Sequence, residues 1–421
     1  MTTADTHRTI ETVWKIEAPR LIAGLARMLR DVGQAEDLAQ EALVTALERW
    51  PLDGVPDNPG AWLMTTARRR AIDLLRHNRM RGDKQAAIEY EFESDAVAHA
   101  PDESDALDDD IGDDLLRLIF TACHPVLTRD MQVALTLRML GGLTTPEIAR
   151  AFLVPEATVA QRIVRAKRML AEKKVPFDVP RGEELAPRLA SVLEVVYLVF
   201  NEGYAATAGE DWVRPALCEE AMRLGRVLAG LAPREPEVHS LLALMELQAS
   251  RLHARVGVDG APVLLLDQDR ARWDRLLIQR GLAGLDRVDK LGGADGNYAL
   301  QAAIAACHAR ALHSQDTDWT RIAALYARLA QVAPSPVVEL NRAVAVAMAE
   351  GPAAGLALVD TLQNERALRD YHLLPSVRGD LLLKLGRREE ARAEFERAAS
   401  MTDNAREAAL LHQRAAACVD Q

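Results

Sequence analysis

The amino-acid sequence predicts an all-α protein in which two small helical domains precede a long region of helical repeats. Three observations lead to this prediction. Ala, Leu and Arg, which all favour helices, dominate the 421 residues. Runs of β-branched residues are few, and aromatic residues make up only 4% of the chain, so strand formers are scarce. Much of the chain also shows the apolar spacing of three and four residues that marks one face of a helix.

Charge divides the chain into four segments, which we predict to be its domains and linker. Residues 1–84 show helical patterns with bases concentrated at the end, and residues 115–175 repeat that arrangement. Between them, residues 85–114 contain 12 acidic residues and no Lys or Arg, which predicts an acidic linker that cannot fold alone. Residues 176–421 form a long Ala- and Leu-rich helical segment interrupted by Pro and Gly.

The net charge of −11 argues weakly against a nucleic-acid partner, but the acidity is confined to the linker. Residues 85–114 contribute −12, so the rest of the chain carries a net charge of +1. The sequence lacks the roughly 18 uninterrupted apolar residues that a transmembrane helix needs, and its beginning does not resemble a secretion signal. We therefore expect no membrane association and a cytoplasmic location.

We expect no cofactor, no bound metal and no enzymatic activity. The four cysteines are about 90 to 110 residues apart, which gives neither a disulfide framework nor a zinc site. Two Cys-His dipeptides, at Cys123 and Cys307, have no second pair at the spacing of zinc ligands, and we interpret them as structural. Asp267 and Asp269 near Arg270 invite a metal or acid–base interpretation, but a network that ties helices together is favoured.

The first patterned element is a helix predicted over roughly Gln34 to Trp50. One of its faces carries four polar residues and one apolar residue, namely Asp37, Gln40, Glu41, Val44 and Glu48. Such an acidic stripe suggests a basic, helical protein partner, although similar stripes also occur on helices that simply face solvent.

The second element is a helix that begins at Ala61, after Asn58-Pro59-Gly60 breaks the chain, and reaches about Met80. Its predicted buried stripe comprises Leu63, Ala67, Ala71 and Leu74. Its exposed side is rich in arginine and carries Arg68, Arg69, Arg70, Asp73, Arg76 and Arg79. With Trp62 at its start, this helix is suited to follow a DNA backbone and to stack on an unpaired base. A solvated charged helix is an equally good interpretation of these residues alone.

Residues 144–174 predict a helix-turn-helix. Thr144 and Glu147 have the spacing of a capping box, which starts a helix that ends near Phe152. Pro155 suits the first turn of a second helix. An apolar stripe lies on one side of that second helix, formed by Val159, Ile163, Ala166 and Leu170. A polar set lies on the other side, formed by Thr158, Gln161, Arg162, Arg165 and Arg168.

A second helix of this kind fits the major groove of DNA. Arg recognises guanine and Gln recognises adenine, while Lys167, Lys173 and Lys174 are placed to meet phosphates. An ordinary amphipathic hairpin with a solvated basic face is the alternative interpretation.

A repeat is visible in the last segment of the chain. Gly351 and Gly386 lie 35 residues apart, each between two apolar-periodic stretches. The small and aromatic residues that follow match the positions of a tetratricopeptide (TPR) helix pair, at Gly379, Gly386, Ala391, Phe395 and Ala398. For residues 180–300 an irregular helical bundle remains the alternative.

Taken together, segments of residues 1–175 resemble the extracytoplasmic-function (ECF) group of sigma-70-type factors. Residues 35–42 (AEDLAQEA) resemble conserved region 2.2 of that family. Residues 58–63 (NPGAWL) and 67–76 (ARRRAIDLLR) resemble regions 2.3 and 2.4, with Arg69 standing where many ECF factors have Asn. Residues 142–167 resemble region 4.

The remainder of the chain resembles the ECF subgroup that carries a C-terminal, TPR-like extension. Four segments carry this resemblance: residues 196–204 (VYLVFNEGY), 267–274 (DQDRARWD), 301–308 (QAAIAACH) and 335–344 (SPVVELNRAV). In this subgroup the extension is expected to control activity in place of a separate anti-sigma factor. Because the concave surfaces of TPR repeats usually bind peptides or helices, we expect the extension to contact the sigma domains or the polymerase.

The resemblance implies an RNA polymerase sigma factor, which gives transcription initiation its promoter specificity. Asp37, Gln40 and Glu41 would bind the clamp helices of the largest polymerase subunit, and region 4 would meet the polymerase flap. The loop from Asp53 to Gly60 would help to recognise and open the −10 element. The same task is implied for Trp62, Arg68, Arg69, Asp73, Arg76 and Arg79. Recognition of the −35 element is implied for Thr158, Gln161, Arg162, Arg165 and Arg168.

A second hypothesis is a helix-turn-helix transcriptional regulator whose helical domain binds a ligand or a protein. The two hypotheses differ in residues 1–84, because such a regulator has no need for the acidic stripe of one helix and the Trp62-to-Arg76 face of the next. An enzyme in residues 176–421 is the third hypothesis, and it lacks a catalytic constellation.

Overall fold

The computed structural model describes residues 3–82, 104–152, 154–205, 208–209, 213–257 and 261–418. The chain divides into two compact units, Met1–Val195 and Val196–Gln421. Secondary structure in the described residues is almost entirely helical, which confirms the predicted all-α class. None of the described helices has the length and apolar character needed to cross a membrane.

Eight helices begin within the described part of the first unit. They are α1 (Thr3–Leu29), α2 (Val32–Asp53), α3 (Pro59–Gly82), α4 (Ser104–Ala122), α5 (Arg129–Met139), α6 (Thr145–Phe152), α7 (Glu156–Glu172) and α8 (Leu185–Tyr204). The helices predicted from Gln34 and from Ala61 correspond to α2 and α3. The predicted helix-turn-helix corresponds to α6 and α7.

Side-chain caps explain where several of these helices start. The Asp31 carboxylate accepts a hydrogen bond of 3.0 Å from the backbone N–H of Gln34, and the Asn58 amide oxygen accepts one of 3.0 Å from Ala61. Each cap satisfies a backbone donor that has no partner within its own helix. The start of α3 is therefore encoded by Asn58 together with Pro59, which is favoured in a first turn.

The helices α1, α2 and α3 pack around a core of alanines and a few large side chains. Ala39, Ala42 and Ala46 of α2 are fully buried, and these small side chains allow close approach of the neighbouring helices. Trp50, near the end of α2, and Leu63, near the beginning of α3, are also buried. The buried stripe predicted for α3 is confirmed at Leu63, Ala67 and Ala71, whereas Leu74 is half-buried.

The helix α4 begins at Ser104, inside the segment that the sequence predicts to be a linker. Its Asp114 side chain is buried because two bases hold it: Arg117 donates to Asp114 Oδ1 at 2.5 Å, and Arg27 Nε of α1 lies 3.3 Å from Asp114 Oδ2. Asp114 thus joins the fold because other residues supply its counter-charges. The rest of the predicted linker, residues 85–103, lies outside the described residues.

The first part of α8 also belongs to the first unit. Arg188 donates a hydrogen bond of 3.0 Å to the carbonyl oxygen of Phe120, and Ser191 donates one of 3.1 Å to that of Cys123. These bonds tie α8 to the end of α4. The first unit consequently extends to Val195, beyond the boundary at residue 175 expected from the sequence.

The second unit continues with ten helices in its described residues. They are α9 (Pro215–Leu231), α10 (Pro236–Ala249), α11 (Arg275–Lys290), α12 (Asn297–Arg310), α13 (Trp319–Val332), α14 (Pro336–Glu350), α15 (Pro352–Leu362), α16 (Leu373–Lys384), α17 (Arg388–Ala399) and α18 (Ala405–Ala417). Two short strands, β1 (Ala208–Gly209) and β2 (Asp403–Asn404), pair in parallel with Ala208 opposite Asp403. This ladder joins the beginning of the unit to its end.

The helix pairs near the end of the second unit have the packing predicted from the repeat. Gly351 and Gly386 occupy the turns between paired helices with positive φ values of 110° and 77°. Gly379 of α16 faces the ring of Phe395 in α17, and Phe395 is fully buried. The spacing of small and aromatic residues therefore reflects close contact between the two helices of each pair.

Arg270 ties together the middle of this unit, as the network interpretation predicted. Its guanidinium donates hydrogen bonds of 2.7 Å to the carbonyl oxygens of His308 and Ala311, and another of 3.0 Å to the hydroxyl of Thr317. A buried guanidinium satisfies several backbone acceptors at the end of α12 in this way.

We predict that Gly355→Ala destabilises the second unit by about 1 to 3 kcal/mol, because a Cβ at this position overpacks the contact between α14 and α15. The added atom would lie 2.4 Å from Ala347 Cβ and 2.7 Å from the Ala343 carbonyl oxygen, so one helix must move. Chemical denaturation followed by circular dichroism measures the change. Gly230→Ala is the matched control, since no atom lies within 4 Å of its added Cβ and the free energy of unfolding should be unchanged or slightly higher.

Candidate nucleic-acid interface

The helix-turn-helix begins with the predicted capping box. The Thr144 N–H and hydroxyl donate hydrogen bonds of 2.7 and 2.8 Å to Glu147, and the Glu147 N–H donates one of 3.3 Å to the Thr144 hydroxyl. Partial burial alone would raise the pKa of Glu147, but the bonds from Thr144 and the nearby Lys15 ammonium hold it below its usual value of 4.5. This box fixes where α6 starts and hence how α7 is presented.

The helix α7 separates its apolar and polar residues as the sequence predicts. Val159, Ile163, Ala166 and Leu170 are all buried. On the opposite side, Gln161, Arg165 and Arg168 are exposed and lie on one face. Val164 lies on the same face and is 63% exposed, which is unusual for a large apolar side chain in a helix that already has a complete buried stripe. The sequence interpretation missed Val164, although its position between Gln161 and Arg168 is the signal that identifies it.

The other two polar residues predicted for this face are less accessible, because one is bonded to a neighbouring helix and the other is half-buried. Arg162 donates a hydrogen bond of 2.5 Å to Asp130 at the start of α5, and Thr158 is half-buried. Arg168 donates one of 2.6 Å to Glu172 in the next turn, but this exposed pair contributes little and is easily exchanged for another anion. The face available to a groove is therefore centred on Gln161, Val164, Arg165 and Arg168.

The arginine-rich face of α3 is exposed at Arg68, Arg69, Asp73 and Arg76. Arg79 lies within α3, but its side chain is outside the described residues. The indole of Trp62 packs edge-on against that of Trp50, with ring centroids 5.4 Å apart and an interplanar angle of 71°. Trp62 is therefore half-buried at the junction of α2 and α3, so only part of its ring is open to a ligand.

The structure does not merge these two basic surfaces into one. The helix α3 packs on α1 and α2, whereas α7 packs mainly on α5 and α6. The two arginine sets are therefore carried by separate helical layers of the first unit, as two distinct contacts with a long nucleic acid would require.

The predicted acidic stripe on α2 is largely exposed. Asp37 is 70% exposed, and Glu41 is exposed but lies 3.2 Å from Arg70 of α3. Gln40 is half-buried between them. Three apolar residues that follow are also exposed, namely Val44, Leu47 and Leu52. The sequence interpretation missed Leu47 and Leu52, and together with the carboxylates they give α2 a mixed acidic and apolar surface that suits a protein partner.

One contact joins the α2 stripe to the helix-turn-helix. Lys167 of α7 donates a hydrogen bond of 2.9 Å to Asp37, and it also bonds to the buried carboxylate of Glu36. Arg138 of α5 donates to the same Glu36 carboxylate at 2.9 Å. The sequence did not predict that Glu36 is buried, because a Glu next to an exposed Asp gives no sign of burial.

In the two Cys-His dipeptides, Cys123, Cys307 and His308 are buried and His124 is half-buried. Burial raises the pKa of the Cys123 thiol to about 11 and lowers that of His124 to about 4, with Arg188 adding to the second effect. Burial and two nearby arginines lower the pKa of His308 to about 3. Within the described ranges, no cluster of His, Cys, Asp or Glu has the arrangement of a metal site.

Three family models match successive parts of the chain. Sigma-70 region 2 matches residues 14–81, Sigma-70 region 4 matches residues 117–170, and DUF6596, a family of unknown function, matches residues 188–289. The region 2 match includes α2 and nearly all of α3. The region 4 match includes α5, α6 and most of α7. The third spans α8 to α11.

Of three similar proteins, two carry the names of sigma factors. An uncharacterized protein of Rhizobium meliloti is 45% identical over 398 residues, which cover 94% of this chain and 92% of that protein. The ECF RNA polymerase sigma factor SigK of Mycobacterium ulcerans is 32% identical over 158 residues, which cover 36% of this chain and 78% of that protein. A probable RNA polymerase sigma-C factor of Mycobacterium bovis is 29% identical over 150 residues, which cover 36% of this chain and 75% of that protein.

The capping box predicts a pH-dependent contribution to the stability of α6. Because the pKa of Glu147 is lowered in the folded protein, the ionised carboxylate stabilises α6 at pH values above 4.5, and this contribution is lost as the pH falls through the lowered value. Glu147→Gln should therefore reduce hydrogen-exchange protection of the α6 amides at pH 7, and the difference from the unsubstituted chain should vanish in acid. Glu156→Gln, at the start of α7, should leave α6 unchanged at both pH values.

Proposed function

Because the chain belongs to the ECF RNA polymerase sigma factors, we propose a division of labour among its helices in promoter recognition. The chain confers promoter specificity on core RNA polymerase, and each of three surfaces in the first unit meets one partner. The observation that carries the assignment is the recognition face of α7, which is exposed opposite a complete buried stripe. The alternative of a conventional helix-turn-helix regulator is not favoured, because the region 2 match accounts for residues 14–81.

The helix α7 reads the −35 element in the major groove. Arg165 and Arg168 are suited to bidentate bonds with guanine, Gln161 to bonds with adenine, and Val164 to apolar contact with a thymine methyl group. Arg162 and Thr158 lie at the edge of this face, where they position the helix against the backbone. Region 4 also contacts the polymerase flap.

The helix α3 recognises and opens the −10 element. Arg68, Arg69 and Arg76 follow the phosphates from an exposed face that Asp73 shares, and the same role is proposed for Arg79. Trp62 stands at the beginning of α3 beside the loop from Asp53 to Gly60, where a base leaving the stack would meet an aromatic surface. Its contact with Trp50 holds the ring in place before DNA arrives. Holding extruded bases offsets the cost of unstacking them.

The stripe on α2 docks on the clamp helices of the largest polymerase subunit through Asp37, Gln40 and Glu41. The exposed carboxylates meet basic side chains, and the neighbouring Val44 and Leu47 add apolar contact. The factor works where core polymerase works, in the cytoplasm. Residues 176–421 regulate activity through contacts with the sigma domains or the polymerase.

Transcription in vitro tests the whole proposal. Core polymerase supplied with this chain and genomic DNA should initiate at start sites that core polymerase alone does not use. No start sites above the core background would refute the function.

Arg165→Ala should lower initiation from a matched promoter by about 5- to 150-fold, because one bidentate base contact contributes about 1 to 3 kcal/mol of discrimination. The loss should shrink when the base pair that Arg165 reads is replaced in the promoter. Arg234→Ala removes another exposed arginine, from the second unit, and is the matched control. An equal loss on every promoter variant would show that Arg165 contacts only phosphate.

Removal of the second unit should change the level of transcription. A chain ending at Tyr204 keeps all of α8, whose first part is bonded to α4, so the first unit stays intact. A chain ending at Lys174 also loses the hydrogen bonds of Arg188 and Ser191 to α4. A change in transcription that is seen only with this shorter chain reflects loss of support for region 4, whereas a change seen with both chains reflects regulation by the second unit. Unchanged transcription by the chain ending at Tyr204 would contradict a regulatory role.

A further inference from the structure

Three arginines alternate with two aromatic side chains in the second unit, and we name this set the arginine row. Its members are, in spatial order, Arg255, Tyr204, Arg251, Trp273 and Arg270. The guanidinium carbon of Arg255 lies 3.9 Å from the ring centroid of Tyr204, and that of Arg270 lies 4.9 Å from the ring centroid of Trp273. Arg251 stands between the two rings, with its guanidinium carbon 5.7 Å from Tyr204 and 5.8 Å from Trp273.

The row is assembled from two parts of the chain. Tyr204 is the last residue of α8, and the other four members belong to the connection between α10 and α11. A hydrogen bond of 2.8 Å from the Asp274 N–H to the Ser250 carbonyl oxygen brings the two ends of this connection together. Arg251 and Trp273, which follow and precede these residues, therefore become neighbours.

Burial makes the positive charges of the row costly. Arg251 and Arg270 are only 9% and 6% exposed, and neither forms an ion pair with a carboxylate in the part of the chain that the structure describes. Burial lowers the pKa of Arg270, and Arg251 lowers it further, whereas Asp316 opposes this effect. Burial and the same two arginines lower the pKa of His308 to about 3. A buried cation without a counter-charge is unfavourable, so an anion at this place would stabilise the fold.

The row also carries N–H donors without a protein acceptor. The terminal nitrogens of Arg270 are bonded to protein oxygens, but its Nε is buried and has no acceptor among the described residues. The same is true of Trp273 Nε1, and Arg251 donates no hydrogen bond there. Because buried donors are nearly always paired in native proteins, we expect an acceptor from outside the chain.

Three of the four sequence segments that carry the resemblance of the second unit meet at this row. They are residues 196–204, 267–274 and 301–308, which supply Tyr204, Arg270 with Trp273, and His308. The last two segments are joined directly, since Arg270 donates a hydrogen bond of 2.7 Å to the His308 carbonyl oxygen. The function proposed for the first unit uses none of these residues.

We propose that the arginine row is a binding site for a phosphate group, supplied by free phosphate or by a small phosphorylated molecule. A guanidinium pairs with two phosphate oxygens at once, and a phosphate that carries nearly two negative charges matches both Arg251 and Arg270. The indole N–H of Trp273 supplies a further donor. Since Arg251 is nine-tenths buried, the row accepts a small molecule and excludes the backbone of a nucleic acid. This inference goes beyond the proposed function and does not depend on it.

The indole N–H signals of the full-length chain, labelled with ¹⁵N at its six tryptophans, test the site by NMR. Trp273→Phe identifies the signal of Trp273. That signal should shift and saturate as inorganic phosphate is added at constant ionic strength, whereas the signals of Trp14, Trp50 and Trp62 in the first unit should stay in place. A parallel titration with glucose 6-phosphate distinguishes the two sources, because the probe that binds more tightly identifies free phosphate or a phosphate ester as the ligand.

Substitutions of Arg251 separate a binding role from a purely structural one. Arg251→Lys keeps the charge but loses the planar fork, and it should weaken phosphate binding at least about tenfold. Arg251→Gln should abolish the binding. Arg378→Lys is the matched control, because Arg378 is another largely buried arginine of the second unit but is paired with Asp360 and Glu394. Its phosphate response should equal that of the unsubstituted chain.

The titration of the unsubstituted chain decides the question by itself if a variant of Arg251 fails to fold. A Trp273 signal that does not respond to either phosphate probe overturns the site. A response that survives unchanged in folded Arg251→Lys and Arg251→Gln also overturns it. An equal response to acetate at the same ionic strength refutes the assignment to phosphate.

Discussion

The pairing of buried carboxylates with bases from other helices determines how the first unit is assembled. Asp114 of α4 is held by Arg27 and Arg117, and Glu36 of α2 is held by Arg138 and Lys167. Each carboxylate is almost fully buried, and a buried charge is costly unless its partners lie in the right place. Apolar contacts between Ala and Leu side chains are not directional, whereas a buried ion pair requires particular atoms to meet. The capped and well-patterned helices α3, α6 and α7 are placed relative to one another through these contacts.

The parts of the structure that follow from local rules could be predicted from the sequence. The capping box of Thr144 and Glu147, the apolar stripe of α7 and the glycine at position 379 each depend on residues a few positions apart or on one neighbouring helix. The beginning of α4 could not be predicted, because a run of acids reads as a linker until Arg27 is known to lie beside Asp114. The same reason hid Glu36: its burial depends on Arg138 and Lys167, which are more than 100 residues away.

The exposure of individual side chains in the structure carries information that the apolar spacing of the sequence does not. Val164, Leu47 and Leu52 each sit on a helix whose buried face is already complete, so their exposure is not explained by the fold. In the sequence, Val164 is distinguished only by its place between Gln161 and Arg168, and Leu47 and Leu52 look like core residues that slightly miss their stripe. Arg270 is the opposite case, since a charged residue in a loop motif proves to be buried and to bond three groups around the end of α12.

The charges of this protein also explain why the proposed polymerase-docking surface and the proposed −35 surface meet. A helix that binds a basic polymerase surface must be acidic, and a helix that binds DNA must be basic, so the two are complementary to each other before either partner arrives. When both helices belong to one compact unit, their local concentration is high and their attraction is intramolecular. Salt screens such attraction weakly where the charges are buried, as they are at Glu36. In a chain that carries both surfaces, the linkers and packing must either hold the two helices apart or allow them to touch. The bonds from Lys167 to Glu36 and Asp37 show that here they touch.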